Sequence, residues 1–561
     1  MSRRLPRAAR LAAAAGFLLT IHASASHAAG PAGIRFADVA RKLSVGYTSN
    51  NHYTGRKYFP QPMCGGVAII DYDQDGLMDV YFTNGATLPG LKKSDPSFHH
   101  LLLRNKGALD FEDVTAGSGL EAKHLDFSFG VAAGDYDNDG YPDLFIANVG
   151  PNALYHNNGD GTFTDVIAGS GLDVKPPDTL SVQGAWLDYD NDGRLDLILS
   201  NYTIWTPEKD VRCVQNGVEL YCNPRIYPPV PHRLYRSLGG GKFADVTEQA
   251  GFGAALGKGM GIGIADFNRD GWVDIFVAND TERNFLYVNR KDGTFREAGI
   301  LLGVAYNDAG ATVSAMGCDV KDYDNDGWVD VFYNNLMQQI HGLFRNLGGS
   351  GFAYVSPRAG VEHLSRNYSG WSNGFIDYDN DGWKDIFSAN GHVDYVGSNP
   401  EQSDTMLRND QGKQFLDISA QLGEDFLVKG YKRGSAFADF NNDGFLDIVV
   451  TALNAKPRIL INSGGNGSHW LLVQLTGTAA NRDAIGTQIK LTTASGRALY
   501  NHVTASVGFM SSSDRRVHFG LGPEDQIKEL EIRWPGGAVQ RVQTPAADQI
   551  LTLREDTAQR P

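Results

Sequence analysis

From residue 34 onward the chain is built of short apolar runs separated by polar, glycine-containing breaks. Runs such as DLFIAN at 143–148, DIFVAN at 274–279 and DIVVTA at 447–452 are β-branched and aromatic and read as strands. Each follows a glycine-rich alternating stretch, for example GVAAG at 130–134, and precedes a third segment such as NALYHNN (152–158), HRLYRSL (232–238) or NFLYVNR (284–290). A glycine-containing turn then leads to a fourth segment, FTDVI at 163–167, FADVT at 243–247 or FLDIS at 415–419. Four such strands joined by short turns make one antiparallel sheet of the propeller-blade kind.

A nine-residue polar break separates the first and second strand of each unit, and it occurs seven times. The copies are DYDQDGLMD from Asp71, DYDNDGYPD from Asp135, DYDNDGRLD from Asp188, DFNRDGWVD from Asp266, DYDNDGWVD from Asp322, DYDNDGWKD from Asp377 and DFNNDGFLD from Asp439. Their start-to-start spacings are 64, 53, 78, 56, 55 and 62 residues, which suits propeller blades rather than a nonapeptide β-helix. The seventh unit has its third strand, PRILIN at 457–462, but no fourth; the missing segment stands at the other end of the chain as FADVA, Phe36 to Ala40. The pattern therefore predicts an all-β fold: a seven-bladed β-propeller over residues 34–464, closed by its N-terminal strand so that no sheet edge stays open. Residues 468–555 also alternate (HWLLVQL, TQIKL, ELEIRW, QILTL) and predict a small β-rich C-terminal domain.

The polar break has a chemistry of its own. Oxygen-bearing side chains recur at its positions 1, 3, 5 and 9, with glycine at 6. In chain order they are Asp71, Asp73, Asp75 and Asp79; Asp135, Asp137, Asp139 and Asp143; Asp188, Asp190, Asp192 and Asp196; Asp266, Asn268, Asp270 and Asp274. The remaining sets are Asp322, Asp324, Asp326 and Asp330; Asp377, Asp379, Asp381 and Asp385; and Asp439, Asn441, Asp443 and Asp447. A Ca²⁺ ion takes six to eight oxygens at roughly 2.3–2.6 Å, which alternate residues of a tight loop can supply, together with the carbonyl of position 7 and both oxygens of position 9. In an EF-hand the last carboxylate comes at position 12 on a helix; here it comes at 9 and opens a strand, so these are not EF-hands. The competing reading is a metal-free Asn-Asp-Gly hairpin, but turn chemistry alone calls for no acid at positions 1 and 9. Two carboxylates ~4 Å apart repel by roughly 1–4 kcal/mol, and a cation turns that penalty into attraction. We expect up to seven Ca²⁺ ions, bound more weakly in the Asn268 and Asn441 loops.

Composition agrees. The 561 residues carry a formal charge of −15 with 65 acidic side chains, so no basic face is available for nucleic acid. The seven loops hold 26 aspartates, which makes the acidity mainly a capacity for cations. Residues 1–29 have a basic start, the apolar run LAAAAGFLLTI and a small-residue end, the pattern of a secretory signal peptide too short to span a bilayer. The expected location is secreted or periplasmic, with no membrane span. In such an oxidising compartment Cys213 and Cys222 are expected to form a disulfide, while Cys64 and Cys318, on strands that read as buried, are expected to stay free thiols.

These repeats, GVAAGDYDNDGYPDLFIAN followed by NALYHNNGDGTFTDV, resemble FG-GAP/VCBS blades of the integrin α-subunit kind. The segment from NRDAIGTQIKL through SSSDRRVHFGLG to EIRWPGG (481–537) resembles the ASPIC/UnbV domain, and together the two halves resemble the cartilage acidic protein family in its bacterial form. Arg482, Asp483, Asp514, Arg515 and Arg516 carry the second resemblance, and we read them as an ion-pair network ordering loops rather than as a recognition site. The resemblance does not extend to the EGF-like tail of vertebrate members, since no cysteine follows Cys318.

A meander blade puts its 1–2 turns, here the aspartate loops, on one face and its 2–3 loops on the other. The long insertions 84–99, 200–232 and 390–404 are 2–3 loops, so the face opposite the calcium loops is the expected recognition surface. Trp205, Tyr221 and Tyr227 around the Cys213–Cys222 pair, and His392 beside Asp394, are the candidate ligand-binding residues. The expected function is a calcium-stabilised module binding a protein or carbohydrate outside the cytoplasm. The alternative is a polysaccharide lyase or hydrolase using the channel mouth on the same face, although no catalytic residue set stands out.

Overall fold

The computed structural model describes residues 33–173, 178–394 and 399–556. The leader at 1–29 and residues 395–398 of the third insertion lie outside the described residues. Among the described residues, seven sheets stand in a ring, each with four antiparallel strands, and one of them takes Ser511–Ser512 as a fifth, parallel strand. Their first strands are Val67–Ile70, Ser128–Gly134, Thr179–Leu187, Gly259–Ala265, Cys318–Lys321, Gly370–Ile376 and Lys432–Ala438. Each packs against the next, and Lys432–Ala438 packs against Val67–Ile70, so the ring closes on itself. The glycine-rich character of these strands follows from that crowding: a Cβ on Gly130 would stand 2.4 Å from the Val182 carbonyl oxygen of the neighbouring sheet.

The seventh sheet is completed from the far end of the chain. Phe36–Asp38 runs antiparallel to Arg458–Asn462, with Phe36 opposite Asn462. Phe36 is buried against Phe426, ring centroids 5.6 Å apart.

Residues beyond 468 form a three-stranded sheet, with His469–Thr476 between Val517–Gly522 and Gln549–Arg554, and a four-stranded one in the order Ala498–His502, Gln488–Thr493, Ile527–Arg533, Val539–Gln543. This domain lies over the aspartate loops. Asp135 N donates to Asp483 Oδ2 (2.8 Å), Gln488 Nε2 to Asp266 Oδ2 (3.1 Å), Arg497 Nη2 to Asp381 O (2.8 Å) and Arg516 Nη2 to Asp439 O (3.1 Å). Arg515 pairs with Asp483 at 3.2 Å and Arg516 with Asp514 at 2.6 Å inside this domain, while Arg482 reaches Asp135 of the propeller at 3.4 Å, so the five charged residues of the second resemblance form ion pairs that order the docking face.

Between those residues, the segment from Ser506 to Asp514 runs into the hub and touches every sheet in turn. Ser506 Oγ donates to Ile262 O (2.8 Å), Gly508 exchanges backbone hydrogen bonds with Cys318, Phe509 N donates to Ser372 Oγ (3.0 Å) and Met510 N to Gln183 Oε1 (3.0 Å). Val131 N donates to Met510 O, Ser511–Ser512 pairs in parallel with Val67–Ala68, and Asp514 N donates to Phe437 O. Phe509 and Met510 are wholly buried with Trp371, Met260 and Met316 in the apolar hub. No alternating pattern marks SVGFMSSSD as an axle; only the assembled ring gives it that role.

Candidate metal centres

Every aspartate loop has the same skeleton. Its first aspartate accepts, through Oδ2, a hydrogen bond from the position-6 glycine N–H, at 2.7–3.1 Å across the seven copies. Its ninth residue opens the second strand and is buried in every copy. One oxygen of that carboxylate accepts from the N–H of position 2 at 3.0–3.2 Å. The other accepts from a third-strand N–H at 2.7–2.8 Å. The ninth aspartate is thus a backbone clamp in its own right, a metal-free duty that sequence reasoning did not foresee. Each of its oxygens keeps a second lone pair.

Carboxylate oxygens converge inside the loops. In the sets Asp71/Asp73/Asp79, Asp135/Asp137/Asp143, Asp188/Asp190/Asp192 and Asp322/Asp324/Asp330, one oxygen from each residue lies within 4.8 Å of the others. Burial raises the carboxyl of Asp71 to about 6, Asp79 to about 8, Asp135 to about 7 and Asp143 to about 9, and the neighbouring aspartates add to the rise. The fit to a hard cation is tested by the leftover acceptors. Oδ1 of Asp71, Asp73, Asp135, Asp190, Asp324 and Asp379 is buried and makes no hydrogen bond to any described residue. A buried, unpaired carboxylate oxygen is costly, and these six, two at the first loop position and four at the third, are acceptors of the kind a hard cation uses. In three of these loops a third-strand arginine takes the other oxygen of the third-position aspartate: Arg104 on Asp73 (2.7 Å), Arg236 on Asp190 (2.7 Å) and Arg345 on Asp324.

Two further sets of contacts join loop to loop, and both were missed at the sequence level. Position 4 has φ between 54° and 63° in all seven copies, the left-handed region that Asn tolerates best. Its side-chain amide donates to the position-6 glycine carbonyl of the next loop at 2.7–3.3 Å, from Gln74 to Gly140 round to Asn442 and Gly76. Arg269 interrupts the series and lies over the Trp328 ring instead. The second set starts from Asn at the third-strand end, in LLLRN, ALYHN, FLYVN, GLFRN, TMLRN and RILIN. Its Nδ2 donates to the position-2 carbonyl of the preceding loop at 2.8–2.9 Å, and Asn105 to Phe440 O closes the circle. The repeating Asn before the turn was the available signal.

On the opposite face the structure redirects the expectation. Cys213 and Cys222 are disulfide-bonded within the hairpin Cys213–Gln215/Val218–Leu220, and Cys64 and Cys318 are buried free thiols. Trp205, Tyr221 and Tyr227, expected to meet a ligand, are buried at 1%, 9% and 6% exposure. Trp205 and Tyr227 roof the hub, with Phe59 packed on Tyr227 at 4.3 Å between centroids, and Tyr221 Oη donates to Gln61 Oε1. Asp210 gathers them, accepting from Trp205 Nε1 (2.9 Å) and Phe59 N (3.1 Å) and pairing with Arg56 at 2.6 Å. Aromatic side chains prefer that interior because it removes large apolar areas from water. The same insertion exposes aliphatic residues instead: Val211, Val214, Val218 and Ile226, at 44–56%. His392 Nδ1 contacts the main chain of Asp394 rather than its carboxylate, and that carboxylate accepts from Tyr221 N (3.2 Å).

The model described as FG-GAP-like repeat matches residues 71–146, 135–199, 266–333, 322–388 and 387–450, and the FG-GAP repeat model matches 433–472. The chain belongs to the FG-GAP repeat family. Its C-terminal segment, residues 477–560, matches the ASPIC and UnbV model. Among curated relatives, cartilage acidic protein 1 of Homo sapiens is 25% identical over 537 residues, covering 90% of this chain and 74% of the relative. The Mus musculus protein of the same name is 24% identical over 505 residues, covering 85% and 71%. Similar solved structures include an Agrocybe aegerita lectin in a study of its recognition of non-reducing terminal N-acetylglucosamine (TM-score 0.39, 16% identity, 71% of this chain and 88% of that one). A Bacillus licheniformis rhamnogalacturonan lyase is another (TM-score 0.38, 12% identity, 76% and 75%). Among the described residues no helix is long and apolar enough to cross a membrane.

Proposed function

We propose that this FG-GAP protein is an exported, calcium-stabilised propeller that binds a protein or carbohydrate outside the cytoplasm. The observation that supports the calcium part is the recurrence of buried carboxylate oxygens without hydrogen-bond partners inside the aspartate loops. Asp and Asn oxygens, with the position-7 carbonyl, are hard donors of the kind Ca²⁺ prefers over softer ions. The signal-like leader supports export. The binding part rests on location: the C-terminal domain covers the aspartate-loop face, and the other face carries a disulfide-stapled insertion with exposed valines and isoleucine. Apolar side chains held in the open by a rigid scaffold suit partner binding.

The lyase or hydrolase reading requires a cleft at the channel mouth. Trp371, Phe509 and Met510 fill the hub and Phe59, Trp205 and Tyr227 belong to the same apolar cluster, which favours binding. A capture experiment from the native envelope fraction, run in parallel with a glycan array, tests the proposal. Val214→Asp with Val218→Asp should abolish capture while leaving melting unchanged. Capture by that variant at wild-type level would refute the surface, and turnover in a polysaccharide screen would restore the enzymatic reading.

A further inference from the structure

The residue that precedes the third-strand Asn or Ser reads out the chemistry of each loop. It is Arg104, His156, Arg236, Val288, Arg345, Arg408 and Ile461 in the seven repeats. Where the third loop position is Asp, this residue is arginine or histidine; where it is Asn, as at Asn268 and Asn441, it is valine or isoleucine. Arg104, Arg236 and Arg345 pair with loop aspartates, and Arg408 stands close enough to Asp379 to lower its pKa against the effect of burial. The position therefore belongs to the loop site, and its positive charge offsets the extra carboxylate.

His156 is the one histidine at this position. In its repeat a positive charge arrives from elsewhere: Arg482 of the C-terminal domain lies 3.4 Å from Asp135 Oδ2. The imidazole is left for another task. Its Nδ1 lies 3.4 Å from Asp137 Oδ2 and 3.3 Å from Asp143 Oδ1, yet is buried and makes no hydrogen bond to any described residue. Asp135, at 2% exposure, likewise presents an unpartnered Oδ1 to the same loop. For a tetrahedral ion with bonds of about 2.0–2.1 Å to N and O, ligand atoms stand about 3.3 Å apart, which matches both imidazole-to-carboxylate distances.

We propose that the second loop, Asp135–Asp143 with His156, is a site for a divalent transition-metal ion of the zinc and cobalt type. His156 Nδ1, Asp137 and Asp143 are its ligands, and Asp135 stands beside them. Imidazole nitrogen favours such ions over Ca²⁺ and Mg²⁺, whereas loops with oxygen donors alone do not. The inference deepens the cation reading of the loops and rests on it.

The test uses untagged full-length protein in excess Ca²⁺, with Co²⁺ as the absorbing probe and Zn²⁺ as competitor. One Co²⁺ per chain should bind, show ligand-field bands and be displaced by Zn²⁺. His156→Arg and His156→Val, residues other repeats carry at this place, should fold and weaken Co²⁺ binding by roughly 100-fold or more. Equal Co²⁺ affinity in wild type and His156→Val, or full displacement of Co²⁺ by Ca²⁺, would overturn the proposal. Calcium-dependent melting is recorded separately. If it is absent while His156-dependent Co²⁺ binding persists, the calcium reading fails and the second-loop site stands; if it is present while Co²⁺ ignores His156, the reverse holds.

Discussion

At the residue scale, the loops show how few side chains it takes to repeat a site. Gly at 6 allows the turn, Asp at 1 and 9 accept backbone N–H groups, and in six of the seven loops an amide at 4 ties the loop to the next. Ser237 is the exception that tests the third-strand stitch. It stands where six repeats have Asn, and its hydroxyl accepts from Gly239 N instead of reaching the preceding loop. Ser237→Asn should donate to Tyr136 O, as Asn157 does to Tyr72 O, and stabilise the ring by about 0.5–1.5 kcal/mol. The denaturation midpoint should rise with an unchanged slope; a fall would mean that the buried site between the second and third sheets has no room for the amide.

At the scale of elements, two segments are held by means other than the loops. The insertion at 200–232 is fixed by Asp210 and by the Cys213–Cys222 bond across 9 residues of sequence. Closing so short a loop restrains the unfolded chain by roughly 2–3 kcal/mol in the chain-entropy account. Because the hairpin projects from a scaffold already packed, replacing both cysteines by serine should speed hydrogen exchange within 200–232 and leave global melting nearly unchanged. A matching loss of global stability would show the hairpin to be part of the cooperative core. The N-terminal strand is the opposite case. Deleting residues 30–42 removes Phe36 from its packing against Phe426 and uncovers the Arg458–Asn462 edge. The truncated protein should lose cooperativity and self-associate, as open strand edges do. A soluble truncation melting like wild type would show that this edge needs no cover.

At the scale of the whole molecule, the Ser506–Asp514 segment threads all seven sheets, and the C-terminal domain rests on the aspartate loops. Ring and cap should therefore melt together in one calorimetric transition. If each of the six loops other than Asp135–Asp143 binds Ca²⁺ with Kd near ~0.1 mM, ~1 mM free ion adds about 1.4 kcal/mol per loop, on the order of 8 kcal/mol in all. Chelation should lower that single transition sharply and Ca²⁺ should restore it. An unchanged melting curve in excess EDTA, with metal removal verified, would end the calcium proposal.

The periodicity of the chain by itself determined the strands, the seven-fold repeat and the exchange of Phe36–Asp38 for the missing last strand, because each follows from local pattern and count. It also placed the acids of every loop, since alternate residues of one tight turn necessarily face one another. The roles of Trp205, Tyr221 and Tyr227 were decided only by tertiary structure. An aromatic residue in a loop reads the same whether it meets a ligand or packs inward, and the burial of all three chose the second. The axle at Ser506–Asp514 and the contact of His156 with Asp137 and Asp143 likewise depend on segments distant in sequence or on neighbouring strands being brought together. No local pattern encodes that proximity; the closed ring creates it.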